Sequence, residues 1–305
     1  MPRSPPASAG RPRWPSAPAR RAPTGRPRRR IEGLRRRLDS ELVRRGLVSS
    51  RDRAQAEIAA GRVLVRGVPA TKAARMVGAD DPVALQGPAP RFVSRGGEKL
   101  DAALDRFAVD VAGRSALDAG ASTGGFTDCL LQRGALEVVA VDVGRGQLDA
   151  RLRGDPRVTV RERTNVRHLT LGHLGREGRP FDVLVADLAF ISLRTVAPAL
   201  LGLVGQGADV VVLVKPQFEA GRAEAGRERG VIKDPRVWAE TLTAVLSAYA
   251  DHGAAILGVM VSPLLGAQGN TEFLAHLAAR RHPAGDLTRM VAAAVDEAVA
   301  HRTGA

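Results

Sequence analysis

Residues 115–142 narrow the folds open to this chain more than any other stretch. An apolar run, Ser115-Ala-Leu-Asp-Ala119, enters the turn Gly120-Ala-Ser-Thr-Gly-Gly-Phe126. A helix-patterned stretch follows, then Val138-Val-Ala-Val-Asp142. The order is strand, glycine-rich turn, helix, and a second strand ending in an acid. Gly120, Gly124 and Gly125 permit a tight turn and close backbone approach to a ligand. An acid at the tip of the second strand, about twenty residues on, suits the ribose hydroxyls of a nucleoside. The spacing is not Gly-x-Gly-x-x-Gly, so a pyrophosphate is not specifically indicated. A nucleoside without phosphates, such as S-adenosylmethionine, fits better. Its contacts are expected from Asp118, Gly120, Ser122, Thr123, Gly124, Gly125 and Phe126, with Asp142 on the ribose and Val143 beside it. An ordinary α/β turn with no ligand is the alternative at this point.

From Ser115 onward strands and helices alternate, which predicts a parallel sheet. Strands are expected near 115–118, 137–142, 157–161, 181–186 and 209–214, a sixth near 255–261 and a last near 271–277. Helices are expected near 97–107, 124–133, 193–204, 235–251 and 286–301. Seven strands with nucleoside binding at the first two predict an α/β, Rossmann-like sheet.

The net charge of +14 is unevenly spread. Residues 1–30 hold nine arginines and no acids, and read as a disordered Arg/Pro-rich tail. Residues 31–87 add 11 basic and 7 acidic side chains, and residues 88–305 are nearly balanced, at 26 against 25. A basic N-terminal part beside a near-neutral larger part suggests a polyanion-binding module joined to a globular domain. The cations are 42 Arg and only 4 Lys: Lys72, Lys99, Lys215 and Lys233. Lys can lose its proton where Arg effectively cannot, so each Lys is a candidate for a role closed to guanidinium. The single cysteine, Cys129, sits in an apolar helix pattern and is expected in the core. A disulfide framework is excluded, and a reducing, cytoplasmic setting is expected. No apolar run approaches a membrane span and no signal-peptide pattern is present. The six His are scattered without ligand spacing, so no metal is expected.

Within residues 31–87, Arg37-Leu38-Asp39 opens a helix with Leu38, Leu42 and Val43 on one face, and Gly46 stops it. Ser50 is an expected N-cap for a second helix through Ala60. Arg62–Gly67 alternates like a strand entering a turn, and Val83–Leu85 closes with another. This segment resembles the ribosomal protein S4-like RNA-binding domain in Arg37-Leu38-Asp39, Gly46–Arg51, Ala54, Ile58, Gly61-Arg62-Val63, Val65, Gly67, Lys72 and Val83. The resemblance implies RNA contacts from Arg35, Arg36, Arg37, Arg44, Arg45, Arg51, Arg53, Arg62 and Lys72. Pseudouridine synthases also carry a catalytic Arg-Leu-Asp, but here it lies inside the RNA-binding pattern, so Asp39 is expected to be structural.

Val183–Phe190 is a buried strand ending in Asp187, and Val210–Val214 runs into Lys215-Pro-Gln-Phe-Glu219. Ligands of open α/β sheets bind beyond such strand ends. Lys99 lies in Ser94-Arg-Gly-Gly-Glu-Lys-Leu100, and Glu272 in Gly269-Asn-Thr-Glu-Phe273; alone, each reads as a surface charge. Together Lys99, Asp187, Lys215 and Glu272 resemble the Lys-Asp-Lys-Glu tetrad of the FtsJ-type ribose 2′-O-methyltransferases. With the N-terminal module, residues 31–280 resemble the TlyA (hemolysin A-like) family, whose members methylate 2′-hydroxyls of 16S and, in some, 23S ribosomal RNA. The further matching stretches are Leu117–Asp128, Asp142–Gly144, Phe190–Leu193, Val214–Glu219, Gly230-Val231 and Ser262-Pro263. The family's usual Asp-Val-Ser-Phe-Ile-Ser is here Asp187-Leu-Ala-Phe-Ile-Ser192, which lacks one hydroxyl at Ala189.

The resemblance implies a tail over 1–30, an RNA-binding domain over 31–88, a linker over 89–96 and a methyltransferase domain over 97–305. It also implies S-adenosylmethionine as cofactor, ribosomal RNA or ribosomal subunits as partner, and a monomer acting away from membranes. The chemistry fits the residue types. A ribose hydroxyl must lose a proton as it attacks a sulfonium methyl, and a partly neutral amine can take it. Lys215 is the expected base, Lys99 favours its neutral form by like-charge repulsion, Asp187 orients it, and Glu272 fixes Lys99 or the hydroxyl. The segment Glu219–Gly230 is expected to gate substrate or to be a plain solvated loop. The alternatives are a non-catalytic RNA-binding or ribosome-assembly factor, a membrane-active hemolysin, and a base-amine methyltransferase. The last of these is disfavoured because Asp187-Leu-Ala-Phe replaces the Asn/Asp-Pro-Pro-aromatic turn.

Overall fold

The computed structural model describes residues 35–48, 51–87, 90–220, 230–280 and 285–303. The expected disordered tail, the Ser50 cap and positions 221–229 of the expected gating segment lie outside the described residues.

The N-terminal part runs β1 (Arg36–Arg37), α1 (Leu38–Arg44), α2 (Arg51–Ala59), β2 (Val63–Val65), β3 (Val68–Pro69), β4 (Met76–Val77) and β5 (Val83–Leu85). Strands β3-β2-β5 form an antiparallel sheet, and β1 pairs with β4. The helix expected from Arg37 begins at Leu38, because Arg37 is already paired to Met76. A two-residue strand carries no periodicity, so nothing in the sequence announced β1 or β4. Leu38, Leu42, Ala54, Ile58, Val63, Val65, Ala70 and Val77 make one small core.

The larger part contains α3 (Arg95–Arg106), β6 (Ser115–Ala119), α4 (Gly125–Gln132), β7 (Glu137–Val141), α5 (Ala150–Arg153) and β8 (Val158–Arg161). It continues with β9 (Phe181–Ala186), α6 (Leu193–Gly202), β10 (Val204–Val214), α7 (Pro216–Glu219), α8 (Pro235–Asp251), β11 (Ala255–Val261), β12 (Phe273–Ala278) and α9 (Leu287–Thr303). One seven-stranded sheet has the order β11-β12-β10-β9-β6-β7-β8. Only β12 runs against its neighbours. The predicted α/β, Rossmann-like sheet is therefore present, with the small α+β module ahead of it. β10 starts at Val204, earlier than expected, because its pairing with β9 skips register between Val204 and Asp209.

Both faces of the sheet are covered, which is why its strands read as continuous apolar runs. Along β10, Val210, Val212 and Val214 join the core under α6, α8 and α9, while Val211 and Leu213 join the core under α3 and α4. This is the two-residue alternation of a strand buried on both sides. Cys129 is fully buried on α4, and burial pushes its thiol up to about 12, so it packs rather than reacts. Phe92 and Val93, ahead of α3, are also buried in the core under α3 and α4. The strand order reverses between β6 and β9, whose C-terminal ends open the crevice where such sheets bind ligands.

Candidate active site

The glycine turn leaves β6 at this crevice. Gly120 has φ +90, and a Cβ placed there would meet the Asp187 carbonyl oxygen at 2.4 Å. Only glycine lets the turn lie against the end of β9. The Asp142 carboxylate folds back on the turn: Oδ2 accepts the Ser122 N–H at 2.8 Å and Oδ1 the Gly144 N–H at 2.6 Å. The acid expected on a ribose thus also shapes the turn. A small cavity lined by Ala121, Ser122, Asp142, Gly144, Gln147 and Glu162 sits beside it. Val143, between the lining residues Asp142 and Gly144, is exposed. Thr123 accepts the Asp149 N–H at its carbonyl, and Gly124, at φ +97, precedes α4. The Phe126 ring is buried in the core beside Gly96, which leaves its backbone for the contact expected of it.

Asp118 is fully buried. Its Oδ2 accepts the Thr127 hydroxyl at 2.6 Å, while Oδ1 has no partner among the described residues. Burial pushes its carboxyl up to about 7, against the Thr127 hydrogen bond and with help from the charges of Asp187 and Asp142. An orphaned, desolvated carboxylate oxygen under a glycine turn fits a cationic ligand group. The methionine ammonium of S-adenosylmethionine is one, and the first turn of α4 suits its carboxylate. The residues present therefore fit that cofactor.

The four residues expected to carry the chemistry meet at the same edge. Val214 pairs with Phe273, so the next positions outward, Lys215 and Glu272, lie side by side at the end of the β10–β12 ladder. The buried Glu272 accepts a hydrogen bond from the ammonium of Lys99 on α3. Asp187, whose N–H donates to Ala119 O at 3.0 Å, forms an ion pair with Lys215. Each amine thus has its own carboxylate. Among the described residues no three His, Cys, Asp or Glu side chains are grouped as metal ligands.

Two features escaped the sequence reasoning. Glu219 is buried and binds the start of α6, accepting from Ser192 Oγ at 2.5 Å and Leu193 N at 2.6 Å. It ties the segment after Lys215 to the segment after Asp187 and so keeps the extensions of these two strands in register. Phe190 is 92% exposed at φ +66 and leans on Phe218, with centroids 5.3 Å apart. Lys215 Nζ lies 5.9 Å from the Phe218 ring centre. The exposed Phe190 ring, backed by the half-buried Phe218, thus stands beside the candidate base.

The arginines of the N-terminal module divide in two. Arg37 and Arg51 clamp the fully buried Asp39, Arg44 and Arg45 clamp Glu41, and Arg53 and Arg62 clamp Glu57. Arg45 also donates to the carbonyls of Gly78, Ala79 and Asp81, so it and the largely buried Arg53 hold the module together. Arg37, with Arg51, Ser40 N–H and Gln55, holds the Asp39 carboxyl well below its usual range, the structural part expected of it. Arg35, Arg36, Arg62 and Lys72 are exposed, as are the outer ends of Arg37, Arg44 and Arg51.

Comparison with known proteins agrees with this geometry. Residues 92–279 match the family model described as FtsJ-like methyltransferase, and residues 36–83 match the S4 domain. A Mycobacterium tuberculosis protein, 16S/23S rRNA (cytidine-2′-O)-methyltransferase TlyA, is 52% identical over 240 residues, 78% of this chain and 88% of that one. Hemolysin A of Brachyspira hyodysenteriae is 39% identical over 241 residues, 79% of this chain and 98% of that one. A solved structure of a hemolysin-named protein from Streptococcus thermophilus superposes with TM-score 0.69 at 36% identity, covering 88% of this chain and 98% of that one.

Proposed function

Because the chain belongs to the FtsJ-like methyltransferase family, we propose that it transfers a methyl group from S-adenosylmethionine to a ribose 2′-hydroxyl of ribosomal RNA. The observation that carries this reading is the pairing of Lys215 with Asp187 and of Lys99 with Glu272 at one sheet edge, beside the glycine turn. We assign RNA recognition to residues 31–88, with the tail 1–30 adding charge, and catalysis to 97–305, joined through 89–96. The 52% identical relative named for 16S and 23S RNA supports the ribosomal substrate.

The cofactor, when bound, supplies an electrophilic sulfonium methyl. Gly120, Ser122, Thr123, Gly124, Gly125 and the Phe126 backbone form its cradle. Asp142 and Val143 take the ribose and adenine side, and Asp118 the ammonium. Lys215 Nζ accepts the proton of the ribose 2′-hydroxyl as that oxygen attacks. Asp187 orients Lys215 and stabilises the ammonium it becomes. Glu272 holds Lys99 against the hydroxyl's other side, where a fixed cation stabilises developing negative charge. Phe190 and Phe218 stack the target base. The phosphate contacts fall to the exposed Arg35, Arg36, Arg37, Arg44, Arg51, Arg62 and Lys72, while Arg45 and Arg53 serve by holding the module's shape.

Lys215→Ala and Lys215→Arg are expected to abolish radiolabelled methyl transfer to ribosomal subunits while retaining cofactor affinity, since guanidinium cannot take the proton. Turnover by either variant removes Lys215 from proton transfer. The hemolysin name of a relative motivates one control, vesicle leakage. No helix among the described residues is long and apolar enough to cross a membrane, and no leakage is expected.

A further inference from the structure

The sheet edge that holds Glu272 continues into a second site. After β11 the chain loops over Ser262–Asn270 before entering β12. The loop is pinned on several sides: Ser262 N–H donates to Glu272 O at 2.8 Å, Gly266 N–H to Asn270 O at 2.8 Å, and Arg95 Nη2 to Leu265 O at 2.7 Å. Between this loop and the last turn of α9 lies an open cleft of about 660 Å³, lined by Ser262, Pro263, Leu265, Thr271, His301 and Arg302 among others. Thr271 and Glu272 are consecutive and lead directly into β12. Glu272 turns to Lys99 and Thr271 to the cleft. The cleft therefore begins one residue from the candidate catalytic centre.

Its chemistry is one-sided. The ionisable lining residues are His301 and Arg302, and none of the lining residues is acidic. Arg302 Nη1 donates to Gly269 O at 3.4 Å and Thr271 Oγ1 at 3.3 Å, which holds the exposed guanidinium at the cleft. Arg95, also exposed, stands on the loop's other flank. Leu265 is 47% exposed and supplies an apolar surface beside these cations.

We propose that this cleft seats the nucleotide adjoining the one being methylated, with its phosphate on Arg302 and His301 and its base against Leu265 and Pro263. The inference rests on the reading of RNA as substrate and adds where the strand goes after it leaves the centre. A cleft of this size accommodates one nucleotide unit. An arginine anchored by its own Nη1 presents the remaining donors in a fixed fork, the geometry that suits phosphate. A site there would hold the target ribose in place by gripping its neighbour, so it contributes to RNA affinity and little to the chemical step.

The test uses the full chain and two variants. Arg302→Gln removes the charge. Ala300→Glu puts an anion into the cleft without deleting any existing hydrogen bond, since Ala300 lines it. Methyl transfer is measured over a range of ribosomal-subunit concentrations and salt, with melting curves and cofactor binding as controls. Arg302→Gln is expected to raise KM for RNA about tenfold and to make the salt dependence of kcat/KM shallower by about one in slope. Ala300→Glu is expected to raise KM further, and kcat at saturating RNA stays within about twofold in both. Wild-type kinetics in two folded variants overturn the cleft while leaving the methyltransferase reading intact. A wild-type chain that binds cofactor but methylates no RNA overturns both.

Discussion

Two alanine substitutions in the glycine turn separate strain from misplaced chemistry. Gly120 and Gly124 have φ +90 and +97, a region that costs an L-residue about 1–2 kcal/mol. Their surroundings differ. The Cβ of Gly120→Ala would stand 2.4 Å from the Asp187 carbonyl oxygen and 3.0 Å from its carbon, both backbone atoms at the end of a buried strand. The Cβ of Gly124→Ala would stand 2.3 Å from Leu152 Cδ1 and 2.8 Å from Leu148 Cδ1, the tips of side chains that can turn away. Relief at Gly120 therefore moves the main chain of Asp187 by about 1 Å, adding about 1–3 kcal/mol of overpacking. A 1 Å displacement of a catalytic group costs on the order of 100-fold in rate. Gly120→Ala is thus expected to lose about 2–5 kcal/mol in urea unfolding and about 100-fold in kcat at saturating cofactor. Gly124→Ala is expected to lose about 1–3 kcal/mol, with kcat within several-fold of wild type. The assay is single-turnover methyl transfer alongside unfolding curves. Equal kcat losses in the two variants, or a fully active Gly120→Ala, would refute the claim that the turn sets the position of Asp187.

Glu219→Ala leaves the start of α6 without two acceptors, which is expected to cost about 2–4 kcal/mol and at least tenfold in kcat, with Glu219→Gln, which keeps one acceptor oxygen, restoring part of both; wild-type stability and kcat in Glu219→Ala would remove the tie. Arg44 and Arg45 hold the Glu41 carboxyl down at about 2, and Asp39 is likewise depressed, so the stability they supply is present above the ordinary carboxylate range near 4.5 and lost as pH falls towards 2. Glu41→Gln should flatten the acid limb of the unfolding curve, and an unchanged limb counts against the clamps. Asp118 has the opposite sign. Its folded carboxyl titrates near 7 rather than near 3.8, so the free protein binds an extra proton and loses stability as pH rises through that interval. In Asp118→Asn that loss, read by urea unfolding across the same interval, should vanish; a loss that persists assigns it to another group.

The sheet was legible because two-sided burial writes itself as uninterrupted Val and Leu runs, as in Val210–Val214, and because Gly120–Gly125 marks where the first strand stops. The candidate quartet was legible as a group only through its resemblance to a known family. Lys99 and Glu272 are 173 positions apart, and no local pattern joins them. The division of the arginines was missed for a different reason. Glu41 with Arg44 and Arg45, and Arg53 with Glu57, stand at helical spacings of three and four, a signal for internal pairing that a count of basic charges ignores. Glu219 was hidden because its partners belong to the turn after another strand, and the exposed Phe190 because exposure is a property of the folded surface.

The reversed strand β12 has a bearing on the order in which this protein is made. It slots between β10 and β11, and its first residue follows Glu272 directly. A nascent chain halted before this hairpin already owns the glycine turn, Lys99, Asp187 and Lys215, yet Lys99 has no acid to face and β10 has a bare flank. The complete quartet is therefore expected to assemble only once β12, the last strand among the described residues, has been made.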